Sequence, residues 1–242
     1  MWRRSPSNRI SFSNIWSDQL KVLSLGKPSK YVALHWQKYL IYGLLVTWLA
    51  GIGRYWDSPE ATWWQYAGLG SLAYVFLLSA YLWLVIWPLG AERWTYRNVL
   101  VFVTLTSLPA LLYAIPVEQF MSMSAAQNSN LAFLAIVAVW RVAMLVGFLF
   151  RVAKLHWFAV MIGTLGPLAM IILSVISFNG GKYLVMIMAG LGREPRAEDL
   201  ANQAVLMLGL ISLYAAPFLF AGYLGLIIHR YVKRSAAKVE QE

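Results

Sequence analysis

The sequence of 242 residues contains no cysteine and few charged residues, and both shortages narrow what the protein can be. The absence of cysteine excludes disulfides, thiolate metal ligands, a cysteine nucleophile and palmitoylation. Charged residues make up 12% of the chain and hydrophobic residues 60%, with a mean hydropathy of +0.60. In soluble domains, charged residues make up roughly 25% of the chain and hydrophobic residues roughly 45–50%. The composition therefore excludes a water-soluble globular core and indicates a membrane protein.

Motifs of the common enzyme classes are also missing. The chain has no HExxH, no GxSxG, no P-loop and no Gly-rich dinucleotide fingerprint. Its three histidines map to the same ends of three predicted helices and are weak metal-site candidates, because their spacing is nonlocal and no carboxylate motif accompanies them: His35, His156 and His229. We predict no metal, no cofactor and no catalytic activity.

Six uninterrupted apolar runs of about 20 residues have the length that an α-helix needs to cross a bilayer. Because the runs are continuous rather than alternating, they predict helices and not a barrel. The expected fold is an all-α polytopic integral membrane protein with six transmembrane helices: Trp36–Ile52, Ala67–Trp87, Asn98–Ile115, Leu131–Phe150, Trp157–Phe178 and Ala204–Ile228.

The distribution of lysine and arginine predicts the orientation of these helices. When six spans are threaded, fifteen basic residues fall on the side of the termini and four on the other side, with Arg141 uncounted. The positive-inside rule then places both termini in the cytoplasm. We predict a basic cytoplasmic tail at 1–35, a membrane domain at 36–230 and a cytoplasmic tail at 231–242, in the bacterial inner membrane. The net charge of +10 is explained by this topology and by an anionic inner leaflet. Nucleic-acid binding is not expected.

The amino-terminal tail contains one amphipathic segment. Apolar Ile15, Trp16, Leu20 and Leu23 alternate there with polar residues, and Gly26-Lys27-Pro28 ends the run. The pattern predicts a short helix lying on the inner leaflet, with a frayed tail as the alternative. The polar residues of this segment are Asp18, Gln19 and Lys21.

Three spans contain an internal proline that removes a backbone donor: Pro109, Pro167 and Pro217. Each should bend its helix, with the freed carbonyl satisfied by a neighbour or by water. Glycines in the last two spans predict close helix approach: Gly163, Gly166, Gly222 and Gly225. The apolar run Tyr183–Leu191 is too short to span and should lie in the interface or re-enter partway.

Arg141 lies near the middle of the fourth predicted span, and no predicted span contains an acid to pair with it. A charge at this depth costs at least about 2.5–3.5 kcal/mol on insertion scales. One interpretation is an inward-facing guanidinium that binds an anion, a lipid headgroup or a partner subunit's carboxylate. The alternative is structural: the guanidinium snorkels because its helix begins earlier, near Phe120, or bonds to helix-end carbonyls and hydroxyls. The nearest acid in sequence is Glu118, and the candidate hydroxyls are Thr104, Thr106 and Ser107.

The stretch Thr95–Pro116, followed by Trp140–Leu149, resembles bacterial Yip1-like polytopic membrane proteins, in which a Tyr-led apolar helix ending in a proline precedes a helix that begins around a Trp. The resemblance covers about a quarter of the chain, and it implies a membrane-organising or trafficking protein with partners in the membrane. From the sequence as a whole we predict a non-enzymatic membrane subunit of a transport assembly, bound to other membrane protein subunits. A Yip1-like scaffold and a lipid-modifying enzyme are the alternatives.

Overall fold

The computed structural model describes residues 12–56, 61–188 and 199–239, and in these ranges every regular element is helical. The prediction of an all-α chain is confirmed. The α-helices are α1 (Phe12–Leu23), α2 (Lys30–Leu34), α3 (Trp36–Tyr55), α4 (Trp63–Tyr66), α5 (Leu69–Ile86), α6 (Tyr96–Leu105), α7 (Met123–Arg151), α8 (Trp157–Met188) and α9 (Asp199–Val239). Short 3-10 segments occupy Trp87–Leu89, Leu108–Ala114 and Val117–Gln119.

Each of the six apolar runs is mainly helical, but not all of them meet the requirements for a span. Four described helices are long and apolar enough to cross a membrane, and a fifth span exists if α6 and the 3-10 segments after it are taken together. Helix α3 is not among them. Its 20 residues include Gln37, Lys38 and Arg54, which lower its mean hydropathy. The part of the chain that the structure describes thus contains four or five candidate membrane-spanning segments.

The loops that carry most basic residues meet at one end of the bundle, which we call the basic end and define by Arg93, Arg97, Arg151, Lys154 and Arg230. Lys154 pairs there with Glu92 at 2.9 Å, the Arg97 guanidinium lies over the Trp36 ring, and Arg230 donates to the carbonyl of Pro88 at 2.7 Å. The carboxyl end of α3 lies at the opposite end of the bundle, where the Trp56 indole donates to the carbonyl of Ala114.

The third run is not the continuous helix that was expected over Asn98–Ile115. Helix α6 ends at Leu105, and the chain bends by 42° before it continues as 3-10 turns. Pro109 explains the break, because it has no N–H to donate to the carbonyl four residues earlier, that of Leu105. The side-chain amide of Gln19 supplies the missing donor at 2.8 Å. The freed carbonyl of Leu105 is therefore satisfied by a neighbouring helix, as predicted.

Helix α1 forms as expected, but the face that packs against the protein is a mixture of polar and apolar residues. It buries Ile15, Asp18, Gln19 and Val22, while the Trp16 side chain is exposed. The prediction of a helix that uses its apolar side on the leaflet surface is therefore incomplete. Contacts with α3, α6 and α7 direct the polar side inward, and the exposed apolar side chains remain for lipid.

Asp18 is the centre of the α1 contact. It is 2% exposed, and its carboxylate accepts hydrogen bonds from the Ser29 hydroxyl, the Ser29 backbone N–H at 3.2 Å, the Tyr39 hydroxyl at 2.6 Å and Lys21 at 3.1 Å. Burial acts to raise the pKa of Asp18, but the hydrogen bonds from Ser29, Tyr39 and Lys21 outweigh it and lower the pKa below 3.8. The ionised carboxylate therefore joins α1 to α3 and to the linker that precedes α2.

Helix α7 begins at Met123, eight residues before the predicted Leu131, because polar residues that hydropathy counts as loop continue the helix. Helix α9 continues to Val239, so much of the predicted carboxyl tail is helical. Residues 183–188 extend α8, and the remainder of the run Tyr183–Leu191 lies outside the described residues.

Only part of the predicted glycine packing is found. A Cβ atom on Gly163 or Gly222 would lie 3.2 or 2.8 Å from a neighbouring side chain, so helices approach closely at these positions. At Gly166 and Gly225 a Cβ atom would have no described neighbour within 4 Å. The close-approach prediction is therefore wrong for these two glycines, whose positions face open space among the described residues.

Candidate anion-binding cavity

A cavity of about 690 Å³ lies inside the half of the bundle that is away from the basic end. Its walls come from α3, α4, α5, α6, α7 and α8, the 3-10 segment Leu108–Ala114 and one residue of α9. Ligand pockets in proteins have volumes of roughly 300–1,000 Å³, so the cavity is large enough for a small organic molecule. Most of the wall is aliphatic, and a few polar side chains interrupt it.

Arg141 is one of the residues that line this cavity. It lies ten residues before the basic end of α7 at Arg151, which corresponds to about 15 Å along the helix axis and so to mid-bilayer depth. Its guanidinium carbon lies 5.9 Å from the centre of the Tyr74 ring on α5. Among the described residues it forms no ion pair and no hydrogen bond. A cation–π contact is worth about 0.5–2 kcal/mol, which is less than the cost of a charge at this depth.

A second arginine lines the same cavity. The Arg54 guanidinium, at the end of α3, lies 5.5 Å from the ring centres of both Tyr55 and Tyr113. Arg54 and Arg141 are both close enough to the Tyr113 hydroxyl to interact with it electrostatically. The two cations therefore share one electrostatic environment. Within the described residues the cavity wall contains no Asp or Glu, so an anion that enters meets only positive charge.

Thr164 on α8 is a third polar residue of the wall. It is 3% exposed, and its hydroxyl has no hydrogen-bond partner among the described residues. A buried threonine in a helix commonly donates to the carbonyl one turn earlier, as the hydroxyl of Thr47 does to Gly43. Leaving a hydroxyl unpaired costs about 1–3 kcal/mol. Thr164 thus contributes to the cavity wall, but its unpaired hydroxyl oxygen is enclosed and has almost no surface open to the cavity.

Exposed and fully buried residues border different parts of the cavity, which we call the vestibule. Arg54, Trp64 and Tyr74 line it and are exposed. Toward the basic end the bundle is filled by an apolar layer in which Ile86, Leu149 and Val160 are fully buried. A Cβ atom on Gly163, next to the Thr164 of the wall, would lie within 4 Å of three side chains of this region: Ile86, Leu89 and Leu149.

The polar residues proposed as structural partners of Arg141 are used elsewhere. Hydroxyls of Thr104 and Thr106 donate to carbonyls of their own helix at 2.8 and 2.7 Å. The Ser107 hydroxyl is hydrogen-bonded to the Thr47 hydroxyl at 2.9 Å. Glu118 accepts from the amide of Asn130 at 2.7 Å and is exposed. Of these four candidates only Thr106 lines the cavity.

The three histidines do not form a site. Among the described residues no group of three His, Cys, Asp or Glu side chains is placed to hold a metal ion. His35 lies at the junction of α2 and α3 and stacks on Tyr31. The Nδ1 of His156 accepts from the backbone N–H of Ala159 at the start of α8, and His229 is exposed near the end of α9.

Sequence reasoning identified Arg141 but missed its companions. Arg54 is one of the four basic residues that the predicted topology places on the side away from the termini, and no pattern in the sequence joins it to Arg141. Thr164 gives no signal in sequence, because an unpaired hydroxyl is defined by what surrounds it. One clue was present: Pro167 follows Thr164 by three residues, and a proline near a polar residue often marks irregular backbone at a cavity.

Comparison of the chain with protein-family models, with curated proteins and with solved structures gives no match, so the arrangement of its own residues must carry the functional argument.

Proposed function

We propose that the protein is a non-enzymatic, membrane-embedded subunit of a transport assembly and that its vestibule binds an anionic group at Arg141 and Arg54. One observation carries the proposal: a guanidinium at mid-bilayer depth lines a large cavity and has no acid to neutralise it among the described residues. A positive wall with low-dielectric surroundings concentrates anions, because the field is screened less than in water.

The cavity supports a transport role over a solid scaffold. A scaffold requires a filled bundle interior, whereas this bundle contains a cavity of about 690 Å³. A transport protein requires a site that one side can reach and a barrier toward the other. The exposed residues that line the cavity and the apolar layer around Leu149 fit these two requirements.

The proposal includes six spans with both termini in the cytoplasm, so that the vestibule opens to the outside. Helix α3 would then be the least apolar span, stabilised by its contacts with α5 and α6. A reporter fused after Gln241 should report the cytoplasm, and a single cysteine at Met121, which is exposed in the loop before α7, should react with an impermeant reagent from outside. A carboxyl terminus on the outside would overturn the span count.

The natural absence of cysteine allows a direct test of the cavity. Ala138 lines the vestibule one turn from Arg141, whereas its neighbour Val139 is 68% exposed on another face of α7. We expect the variant Ala138→Cys to react from outside with a sulfonate-bearing thiosulfonate faster than with an ammonium-bearing one. The matched control Val139→Cys should react slowly with both reagents, because lipid surrounds it.

The preference for the anionic reagent should depend on the arginine in the cavity. In the Ala138→Cys protein, a second substitution Arg141→Leu should make the two rates similar. Arg151→Leu is the matched control, since Arg151 lies ten residues later on the same helix and outside the cavity. Equal rates for the two reagents when Arg141 is intact, or no reaction at all, would rule out a wet anion-binding vestibule.

A further inference from the structure

The cavity combines positive charge with a large aliphatic surface, and a simple inorganic anion would not need the aliphatic surface. Its wall is largely aliphatic, with residues on every side: Leu78, Leu82, Leu134, Leu145, Leu168 and Ile171. A free anion that is strongly hydrated loses its water in such a place and gains nothing from the apolar wall. An alkyl chain, by contrast, gains about 0.8 kcal/mol for each CH₂ that leaves water.

The two cationic residues of the wall lie at different heights in the bundle. Measured along the helices from the basic end, the backbone of Arg141 lies at about 15 Å and that of Arg54 at about 27 Å. Aliphatic side chains line the cavity beside both of them. This arrangement matches a molecule that carries an anionic group on an alkyl chain.

We propose that the ligand of the vestibule is an amphiphilic anion, in which Arg141 and Arg54 bind the charged group and the aliphatic wall covers an alkyl chain. This inference rests on the proposed function and names its ligand class. A phosphate or carboxylate suits the planar guanidinium, which can donate two parallel hydrogen bonds to either group. The aliphatic wall is the observation that a bare anion at Arg141 leaves unexplained.

Protection of Ala138→Cys from the anionic reagent tests the ligand class. The protein is placed in discs of zwitterionic lipid, and three probes are compared: dodecyl phosphate, inorganic phosphate and dodecanol. Dodecyl phosphate should slow the labelling at a concentration at least tenfold below that of inorganic phosphate. Dodecanol should give no protection, because it lacks the charge that Arg141 binds.

Variants of the wall sharpen the test. Arg141→Leu should raise the half-protecting concentration of dodecyl phosphate at least tenfold, Arg141→Lys should raise it less, and Arg151→Leu should leave it unchanged. The Lys variant keeps the test valid if the Leu variant folds poorly.

Two sets of outcomes separate this inference from the proposed function. Equal protection by inorganic phosphate and by dodecyl phosphate would overturn the amphiphile and leave an anion site in place. If dodecanol protects as well as dodecyl phosphate, the pocket binds alkyl chains regardless of charge. That result would also overturn the proposal of an amphiphilic anion. Loss of the preference for the anionic labelling reagent would overturn both proposals.

Discussion

Asp18 and Arg141 are both charged residues inside an apolar bundle, and the protein treats them in opposite ways. Asp18 is 2% exposed and receives four hydrogen bonds from Ser29, Tyr39 and Lys21. Arg141 meets an aromatic ring at 5.9 Å and no acid among the described residues. A charge that the chain satisfies fully holds the fold together, whereas a charge that it leaves partly satisfied is available to a ligand.

The regions around the two charges differ in the same way. Near α1, side-chain amides and hydroxyls are paired, including Gln19 with the carbonyl of Leu105. Around Arg141 the space is empty, and the hydroxyl of Thr164 is unpaired. The first region is packed as a core, and we propose that the second is a binding site. Substitutions in the first should change stability, and substitutions in the second should change binding.

The largest effect on stability should come from Asp18→Ala. The substitution removes the acceptor of the fully buried Tyr39 hydroxyl and of two Ser29 donors, and each buried donor left unpaired costs about 1–3 kcal/mol. We expect the free energy of unfolding to fall by about 3 kcal/mol, measured by denaturant unfolding in detergent. The control is Glu92→Ala, whose pair with Lys154 is half exposed and should contribute at most about 0.5 kcal/mol. Equal losses of stability from the two substitutions would mean that the buried Asp18 contributes no more than the exposed Glu92–Lys154 pair.

A smaller effect is expected from Gln19→Leu, because it leaves the buried carbonyl of Leu105 without a donor. We expect a loss of about 2 kcal/mol in free energy of unfolding. In the Pro109→Ala background the loss should be smaller, since the substituted residue can donate its own N–H to that carbonyl. A double-mutant cycle measures this coupling. Strictly additive losses would mean that Gln19 and Pro109 are not linked through Leu105.

The change of stability with pH should be smaller than either of these effects, and it should be caused by Asp18. Its pKa is lowered in the folded protein, so the carboxylate contributes stability above the unfolded value of 3.8 and loses it as pH falls through the folded pKa. The unfolding temperature should therefore decrease below about pH 4. The protonated acid can still share hydrogen bonds, which limits the loss. Asp18→Asn should reduce the decrease of the unfolding temperature at low pH. If the decrease is unchanged in that variant, other carboxyl groups cause it.

Much of the fold follows from the sequence, because apolar runs of bilayer length define helices without tertiary information. Pro109 even indicates the break after α6. The group that satisfies the broken helix was not predictable, since Gln19 lies 86 residues away from Leu105. The inward face of α1 was missed for a related reason: hydropathy assigns Asp18 to water, whereas Tyr39 makes it a buried acceptor.

The site was predictable only at the residue that breaks the pattern of its helix. Arg141 interrupts an apolar run, so its position alone indicates function. Arg54 lies at a helix end, where basic residues are ordinary, and nothing in the sequence brings it toward Arg141. The early start of α7 at Met123 was hidden by the polar composition of its first turns. Such features depend on how helices pack, which no local pattern records.

The proposal of an anion-binding cavity depends most directly on Arg141. Labelling of Ala138→Cys in the Arg141→Leu background tests this proposal. We expect this variant to unfold at the wild-type temperature or above, because removing a charge at mid-bilayer depth relieves its insertion cost. The same variant should lose the preference for the anionic reagent, and Arg141→Lys should recover only part of it, because an ammonium cannot reproduce the two-pronged guanidinium. An Arg141→Leu protein that is destabilised as much as Asp18→Ala, or that keeps the full preference, would contradict the assignment of Arg141 to ligand binding.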